Sequence, residues 1–297
     1  MIPKVDDRQL SGPTIPNPPL VRQARIVRLP SGGALHVRGP AAATPILFYH
    51  GVGGGAWSWE PQLGLLSTDF RCYAWEARGH GLARAVMDAG LGDYYIDALE
   101  ALDAVRGDGP VFVAGHSMGG LLALAVSAAR PQDVRGTLLV DPVYAPDGGG
   151  HAGPLLAAVA RRTIGPLVGS MMRDGALARS LARAVFRASF LDRACMERAW
   201  RRQRTQVPAE YPKMMYEAFD GPSRFPNRAF ARELEWPALL LEPKAARPRF
   251  PQLVAELERL GDRFTHLALD GGHYLQLDRS AAHVTSALRE FVTRWSR

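Results

Sequence analysis

Gly115-His116-Ser117-Met118-Gly119-Gly120 lies between the apolar run Val111-Phe112-Val113-Ala114 and Leu121, Leu122, Ala125, Val126 and Ala129, which recur at helical spacing. Strand, tight turn and helix are therefore expected in that order. In a G-x-S-x-G turn the glycines leave room for a cramped backbone, and the serine hydroxyl is held out at the carboxyl end of a parallel sheet. Ser117 is a candidate nucleophile on that ground. The motif alone also fits an ordinary glycine-rich turn, so the surrounding chain decides.

Upstream, Ala24 to Leu29 and Ala34 to Arg38 are strand-like runs separated by Ser31-Gly32-Gly33, a hairpin signal. Pro45 to Tyr49 is apolar and ends in His50-Gly51-Val52-Gly53-Gly54-Gly55, with a helix expected from Trp57. Arg71 to Trp75 is a further strand, closing on Glu76-Ala77-Arg78-Gly79-His80-Gly81. Tyr95, Leu99, Leu102 and Val105 share one helical face. Downstream, Gly136 to Val140 forms a strand closing on Asp141-Pro142. Strands alternating with helices of this length predict a doubly wound, mostly parallel α/β sheet.

The alternation stops at Tyr144 and returns at Pro237 to Leu241. Residues 143–232 are Gly-, Pro- and Arg-rich with helical stretches, and are expected to form an inserted helical cap on a core of residues 21–142 and 233–297. Residues 1–20 carry Pro3, Pro13, Pro16, Pro18 and Pro19, which predict an extended arm. Phe264 to Leu269 is the last strand, and Val284, Leu288, Phe291, Val292 and Trp295 mark the last helix.

Composition narrows the function classes. The 297 residues are 47% hydrophobic and 22% charged, enough for one large core. No run is long and apolar enough for a membrane span, and Met1 to Leu10 lacks the apolar centre of a signal peptide, so a cytoplasmic protein with no membrane partner is expected. Cys72 and Cys195 are read as reduced residues. No cluster has zinc-like spacing, and neither a metal nor a cofactor is implied. The net charge of +7 raises the question of an acidic partner, but no nucleic-acid reading module is present. The excess concentrates between His151 and Thr205, where eleven Arg face Asp174, Asp192 and Glu197. Solvated helix faces or an anionic substrate would each account for it. The oligomeric state is not legible.

His50-Gly51 after one strand, Gly115-His116-Ser117-Met118-Gly119 after another, and Gly271-Gly272-His273 before the last helix together resemble the α/β-hydrolase fold superfamily. The resemblance spans nearly all of the chain outside the arm and the cap. It implies a serine hydrolase, esterase- or lipase-like, acting on a small-molecule ester. A serine hydroxyl needs a neighbouring base, and His273 has both the chain order and a glycine-bearing loop suited to that task. His50 and His80 are expected to order loops, and His116 to pack beside the nucleophile.

A carboxylate should orient the imidazole. The commonest pattern of the superfamily places an aspartate after the strand corresponding to Pro237-Leu241, but that loop reads Glu242-Pro243-Lys244-Ala245-Ala246-Arg247. Asp141, 24 positions beyond Ser117, is the first candidate, since some dehalogenases and lactonases of the superfamily carry their acid at that strand end; Glu242 is the second. The resemblance also implies that the backbone N–H groups of Val52 and Met118 form an oxyanion hole.

Two other classes stay open. Gly51-Val52-Gly53-Gly54-Gly55-Ala56 fits a dinucleotide fingerprint with Glu76 as the ribose acid, though a leading His50 and the Ser117 turn sit badly with it. The superfamily also hosts thioesterases, ligand-binding proteins and cofactor-free oxygenases. An apolar acyl pocket could draw on Tyr144, Phe186, Trp200, Met214, Met215 and Phe219, residue types that equally serve to pack a cap. The expectation is therefore an ester or lactone hydrolase with Ser117, Asp141 and His273 in the catalytic roles.

Overall fold

The structure is a computed structural model that describes residues 24–81, 83, 89–107, 109–144, 183–184, 186–206, 227–244 and 250–296. The proposed arm, most of the proposed cap, and Met214, Met215 and Phe219 lie outside the described residues.

An eight-stranded sheet forms the centre: β1 (Arg25–Arg28), β2 (Ala34–Arg38), β3 (Pro45–Tyr49), β4 (Arg71–Glu76), β5 (Val111–His116), β6 (Val134–Val140), β7 (Ala238–Pro243) and β8 (Phe264–Leu269). Their spatial order is β1-β2-β4-β3-β5-β6-β7-β8. The β1–β2 hairpin and the β2–β4 pair are antiparallel; every other pair is parallel. The helices with described bounds are α1 (Glu60–Leu66), α2 (Leu91–Val105), α3 (Met118–Ala129), α4 (Arg193–Gln206), α5 (Asn227–Glu233), α6 (Pro251–Glu258) and α7 (Ala281–Trp295).

The central strands are near-continuous apolar runs because both faces are covered. Leu47 and Tyr49 of β3, Val111 and Val113 of β5, Leu139 of β6 and Leu240 of β7 pack toward α2, α3 and α6. Their neighbours Ile46, Phe48, Phe112, Ala114, Leu138, Val140, Leu239 and Leu241 pack toward α1 and α7. The period of two thus splits one sheet into two apolar layers. In place of a helix running straight from Trp57, a 3₁₀ turn over Ala56–Trp59 precedes α1, whose Pro61 suits a first turn. α5, all but its last residue in the span 143–232, packs on α3 and puts Ala231 into the same layer as α2 and α3.

The connection after β3 goes to α1 on one face, and the connection after β5 goes to α3 on the other. β3 and β5 are adjacent and parallel, so their carboxyl ends open a crevice where the winding reverses. Ligands of open α/β sheets bind at such a switch point. His50 and Ser117 follow directly on these two strands.

Candidate active site

β5 ends at His116, and α3 begins at Met118, leaving one residue to reverse the chain. Ser117 does so with φ 55° and ψ −120°, in the left-handed range that non-glycine residues rarely occupy. Such a conformation costs about 1–3 kcal/mol and needs a surrounding structure that enforces it. The flanking glycines are part of that structure. A β-carbon at Gly115 would lie 2.0 Å from the carbonyl oxygen of Gly119, and one at Gly119 would lie 2.2 Å from that of Tyr49. The Ser117 carbonyl accepts N–H groups from Gly120 (2.9 Å) and Val143 (2.9 Å), tying the turn to the segment after β6.

Asp141 follows directly on β6, also at positive φ (39°), and its N–H donates to the Leu241 carbonyl at 2.8 Å. The carboxylate is fully buried, and its Oδ2 lies 2.5 Å from Nδ1 of His273. His273 stands in the loop between β8 and α7, with its side chain 24% exposed. An ionised carboxylate accepts only, so Nδ1 carries the proton and Nε2 is left as the basic nitrogen. The His273 backbone is held as well: Nε2–H of His116 donates to its carbonyl at 2.9 Å, and the two rings sit 4.6 Å apart. His116 was expected only to pack beside Ser117; it also fixes the residue that carries the candidate base, a link across 157 positions that no local motif reveals.

Glu242 is fully buried too, but its Oε2 lies 2.7 Å from Nε2 of His266 on β8. Of the two carboxylates, then, Asp141 reaches His273 and Glu242 reaches a different histidine.

The loop after β3 passes against the turn. A β-carbon at Gly51 would lie 3.0 Å from Cβ of Ser117 and 3.1 Å from Nδ1 of His116. Two buried histidines set the course of this loop. Nε2 of His50 accepts the Ala77 N–H (3.1 Å), so Nδ1 bears the proton and donates to the Gly51 carbonyl at 2.7 Å. Nε2 of His80 accepts the Gly53 N–H (3.2 Å), so its Nδ1–H donates to the Arg78 carbonyl at 3.1 Å. The Gly51 carbonyl also accepts the Gly54 N–H at 2.9 Å. In a planar trans peptide the C=O and N–H point opposite ways, so these bonds turn the Val52 N–H away from the His50 side. Met118 is the first residue of α3, where N–H groups have no intrahelical acceptor.

Both histidines are neutral. Burial depresses His50, against smaller opposing contributions from Gly51 and Glu76. Burial first, and then the neighbouring His50, push His80 down to about 3. A second proton on either ring would set an N–H against a backbone N–H.

Oε2 of Glu76 lies 3.0 Å from Nε2 of the buried His36, and Oε1 accepts the Ala56 N–H at 3.3 Å. Its carboxylate is thereby committed to the loop, not presented to a ribose. Over the His273 loop, Trp57, Phe186, Phe190, Met196, Ala199 and Tyr274 form a separate apolar cluster, with Trp200 packed on it. Phe186 thus packs on Tyr274, the residue after His273, and Trp200 packs on Phe186, while Tyr144 is buried beside Phe250. Among the described residues, no group of three His, Cys, Asp or Glu could hold a metal ion, and no helix is long and apolar enough to cross a membrane.

Comparison with known proteins bears on the family and the fold. Residues 46–285 match the Alpha/beta hydrolase family. The chain is 32% identical over 122 residues to the (E)-2-((N-methylformamido)methylene)succinate hydrolase of Acinetobacter baylyi, covering 41% of this chain and 46% of that protein. It is 37% identical over 122 residues to the lipase LipV of Mycobacterium tuberculosis, covering 38% of this chain and 44% of that one. The chain therefore spans less than half the length of these two relatives. Among solved structures, the enol-lactonase of Burkholderia xenovorans superposes with a TM-score of 0.66 at 24% identity, over 91% of this chain and all of the other. A thermophilic esterase of Thermogutta terrifontis superposes with a TM-score of 0.72 at 19% identity, over 91% and 99%. At these identities the superpositions speak for the fold alone. With a matched segment that runs from β3 into α7 and takes in the Ser117 turn, Asp141 and His273, the chain belongs to the Alpha/beta hydrolase family.

Proposed function

We propose that the protein is a serine hydrolase that cleaves a small carboxylic ester or lactone through an acyl-enzyme. The observation that carries this reading is the 2.5 Å contact between the buried Asp141 carboxylate and Nδ1 of His273, which leaves Nε2 as a base on the loop beside the Ser117 turn. Oγ of Ser117 attacks the carbonyl carbon while its proton passes to Nε2 of His273. The imidazolium so formed is stabilised by Asp141. The carbonyl π pair moves to oxygen, and the N–H groups of Val52 and Met118 hold the oxyanion. Collapse of the tetrahedral intermediate breaks the C–O bond, and the alkoxide takes the Nε2 proton, leaving as alcohol from an ester or staying tethered to the acyl group as a hydroxyl from a lactone. Water, deprotonated by His273, then attacks the acyl carbon and releases the acid and Ser117.

The described part of the cap favours a neutral substrate over an anionic one. Arg183, Arg187, Arg193, Arg198 and Arg201 are exposed and Arg202 is half-buried, whereas Met196 and Ala199 of α4 are buried in the aromatic cluster that includes Tyr274. Names borne by relatives, a lipase and an enol-lactonase, suit ester and lactone substrates. Thioester cleavage uses the same machinery, and no observation on the described residues prefers it.

A panel of short- and long-chain p-nitrophenyl esters and lactones, assayed with wild type and Ser117→Ala, tests the proposal. Turnover is expected with wild type and lost in the variant. Undiminished turnover in Ser117→Ala would reject the acyl-enzyme and revive the oxygenase reading, and a folded wild type that turns over none of the panel would revive the binding-protein one.

A further inference from the structure

Asp278 lies five residues after His273, in the turn that leads to α7, and is 2% exposed. Its carboxylate accepts four backbone N–H groups. Oδ2 takes those of Gly272 (2.7 Å) and Leu191 (2.8 Å); Oδ1 takes those of Asp192 (2.9 Å) and Arg279 (3.0 Å). These donors come from two distant parts of the chain. Gly272 immediately precedes the candidate base. Leu191 and Asp192 open α4, with the Asp192 side chain accepting the Cys195 N–H at 2.7 Å as a helix cap.

The two segments also touch directly. A β-carbon at Gly272 would lie 2.2 Å from the Ser189 carbonyl oxygen, which accepts the Tyr274 N–H at 3.4 Å. The ring of Tyr274 stacks on that of Phe190, with centroids 5.0 Å apart and planes 9° apart. Segment 189–192 of the cap therefore rests on residues 272–274, and Asp278 bonds both.

We propose that Asp278 is a positioning residue for His273, and that it couples the seating of cap segment 189–192 to the placement of the imidazole. The inference rests on the reading of His273 as the base. His273 then has three tethers: Asp141 on Nδ1, His116 on its own carbonyl, and Asp278 on the preceding N–H. The carboxylate form is required. An amide carries one acceptor oxygen and one donor nitrogen, so Asn at 278, whichever way it turned, would set an NH₂ group against two of the four N–H donors. One orientation frees Gly272 and Leu191 together; the other frees Asp192 and Arg279.

The test uses the full chain, a fluorophosphonate probe and p-nitrophenyl butyrate, with wild type, Asp278→Asn and Leu191→Pro. Asp278→Asn is expected to label Ser117 roughly ten- to hundredfold more slowly, the scale on which a reacting group misplaced by about an ångström loses rate. The loss should fall on kcat, with KM within about twofold of wild type, a split that mere loosening of the cap would not produce. Hydrogen exchange in segments 189–192 and 271–274 should rise together. Leu191→Pro deletes one cap-side N–H while leaving Asp278 intact, and it too should slow labelling; should Asp278→Asn not fold, this variant decides alone. Wild-type labelling rates in the folded variants, or a deficit confined to KM, would overturn the coupling and leave His273 as the base. No labelling of wild type would instead overturn the base reading, and the role of Asp278 with it.

Discussion

Nδ1 of His273 lies 2.5 Å from Oδ2 of Asp141, a carboxylate 132 positions earlier and wholly out of solvent. A buried carboxylate in that contact holds one imidazole tautomer and stabilises the imidazolium. Asp141→Asn should therefore lower kcat by something like 10³- to 10⁴-fold, the scale on which loss of the orienting acid acts in other serine hydrolases. Glu242→Gln should leave kcat within about fivefold of wild type, because Glu242 is bonded to His266, not His273. Steady-state kinetics on one ester decides, and the reverse ranking would move the acid to Glu242.

His80 and His50 predict an acid-sensitive fold. Burial and the neighbouring His50 hold His80 down to about 3, well below the roughly 6.5 of an unfolded histidine. Between those values the unfolded chain binds a proton that folded His80 refuses. The associated stability is complete above about pH 6.5 and declines as the pH falls, by at most about 1.4 kcal/mol per pH unit for one such histidine. His50, depressed by burial, adds in the same direction. Urea midpoints between about pH 7.5 and 4.5 should fall more steeply in wild type than in His80→Gln. Equal slopes would mean that His80 is not the neutral acceptor of the Gly53 N–H.

Gly119 tests the cramped turn. Its β-carbon would lie 2.2 Å from the Tyr49 carbonyl oxygen, a backbone atom of a central strand that cannot swing aside. Gly119→Ala should destabilise the fold by about 2 kcal/mol or more, in the range of overpacked cores. Gly92→Ala on α2, where a β-carbon would meet nothing within 4 Å, should be neutral or mildly stabilising. Thermal melts of the two variants compare them directly.

The five exposed arginines among the described cap residues predict indifference to salt. With Arg183, Arg187, Arg193, Arg198 and Arg201 in solvent, kcat/KM on a neutral short-chain ester should change by less than about twofold between roughly 0.05 and 0.5 M salt. A steep decline on an anionic ester, absent on the neutral one, would restore a charged substrate.

The sheet is readable because its strands are short apolar runs closed by glycine- or proline-bearing turns, and the positions of His50, Ser117 and His273 follow from the strand ends that carry them. The nature of the acid was harder to read. Asp141 follows β6 and Glu242 lies near the carboxyl end of the adjacent parallel β7, and a linear sequence does not say which carboxylate meets the loop after β8. The role of Asp278 is not legible for a similar reason: three of its partners stand 6, 86 and 87 positions before it, and its surroundings, Leu277-Asp278-Arg279, resemble a plain helix entry. The buried face of α5 was hidden by its Arg- and Pro-rich neighbourhood, where charge outweighs the one alanine that enters the core.

The most direct test is peptide mapping of the full chain after reaction with a fluorophosphonate, for wild type beside His273→Ala. A phosphonyl adduct on Ser117 of wild type, slowed by several orders of magnitude in His273→Ala, is the predicted result. A folded wild type that takes no adduct at Ser117, or a variant that reacts as fast as wild type, would contradict an activated Ser117 nucleophile.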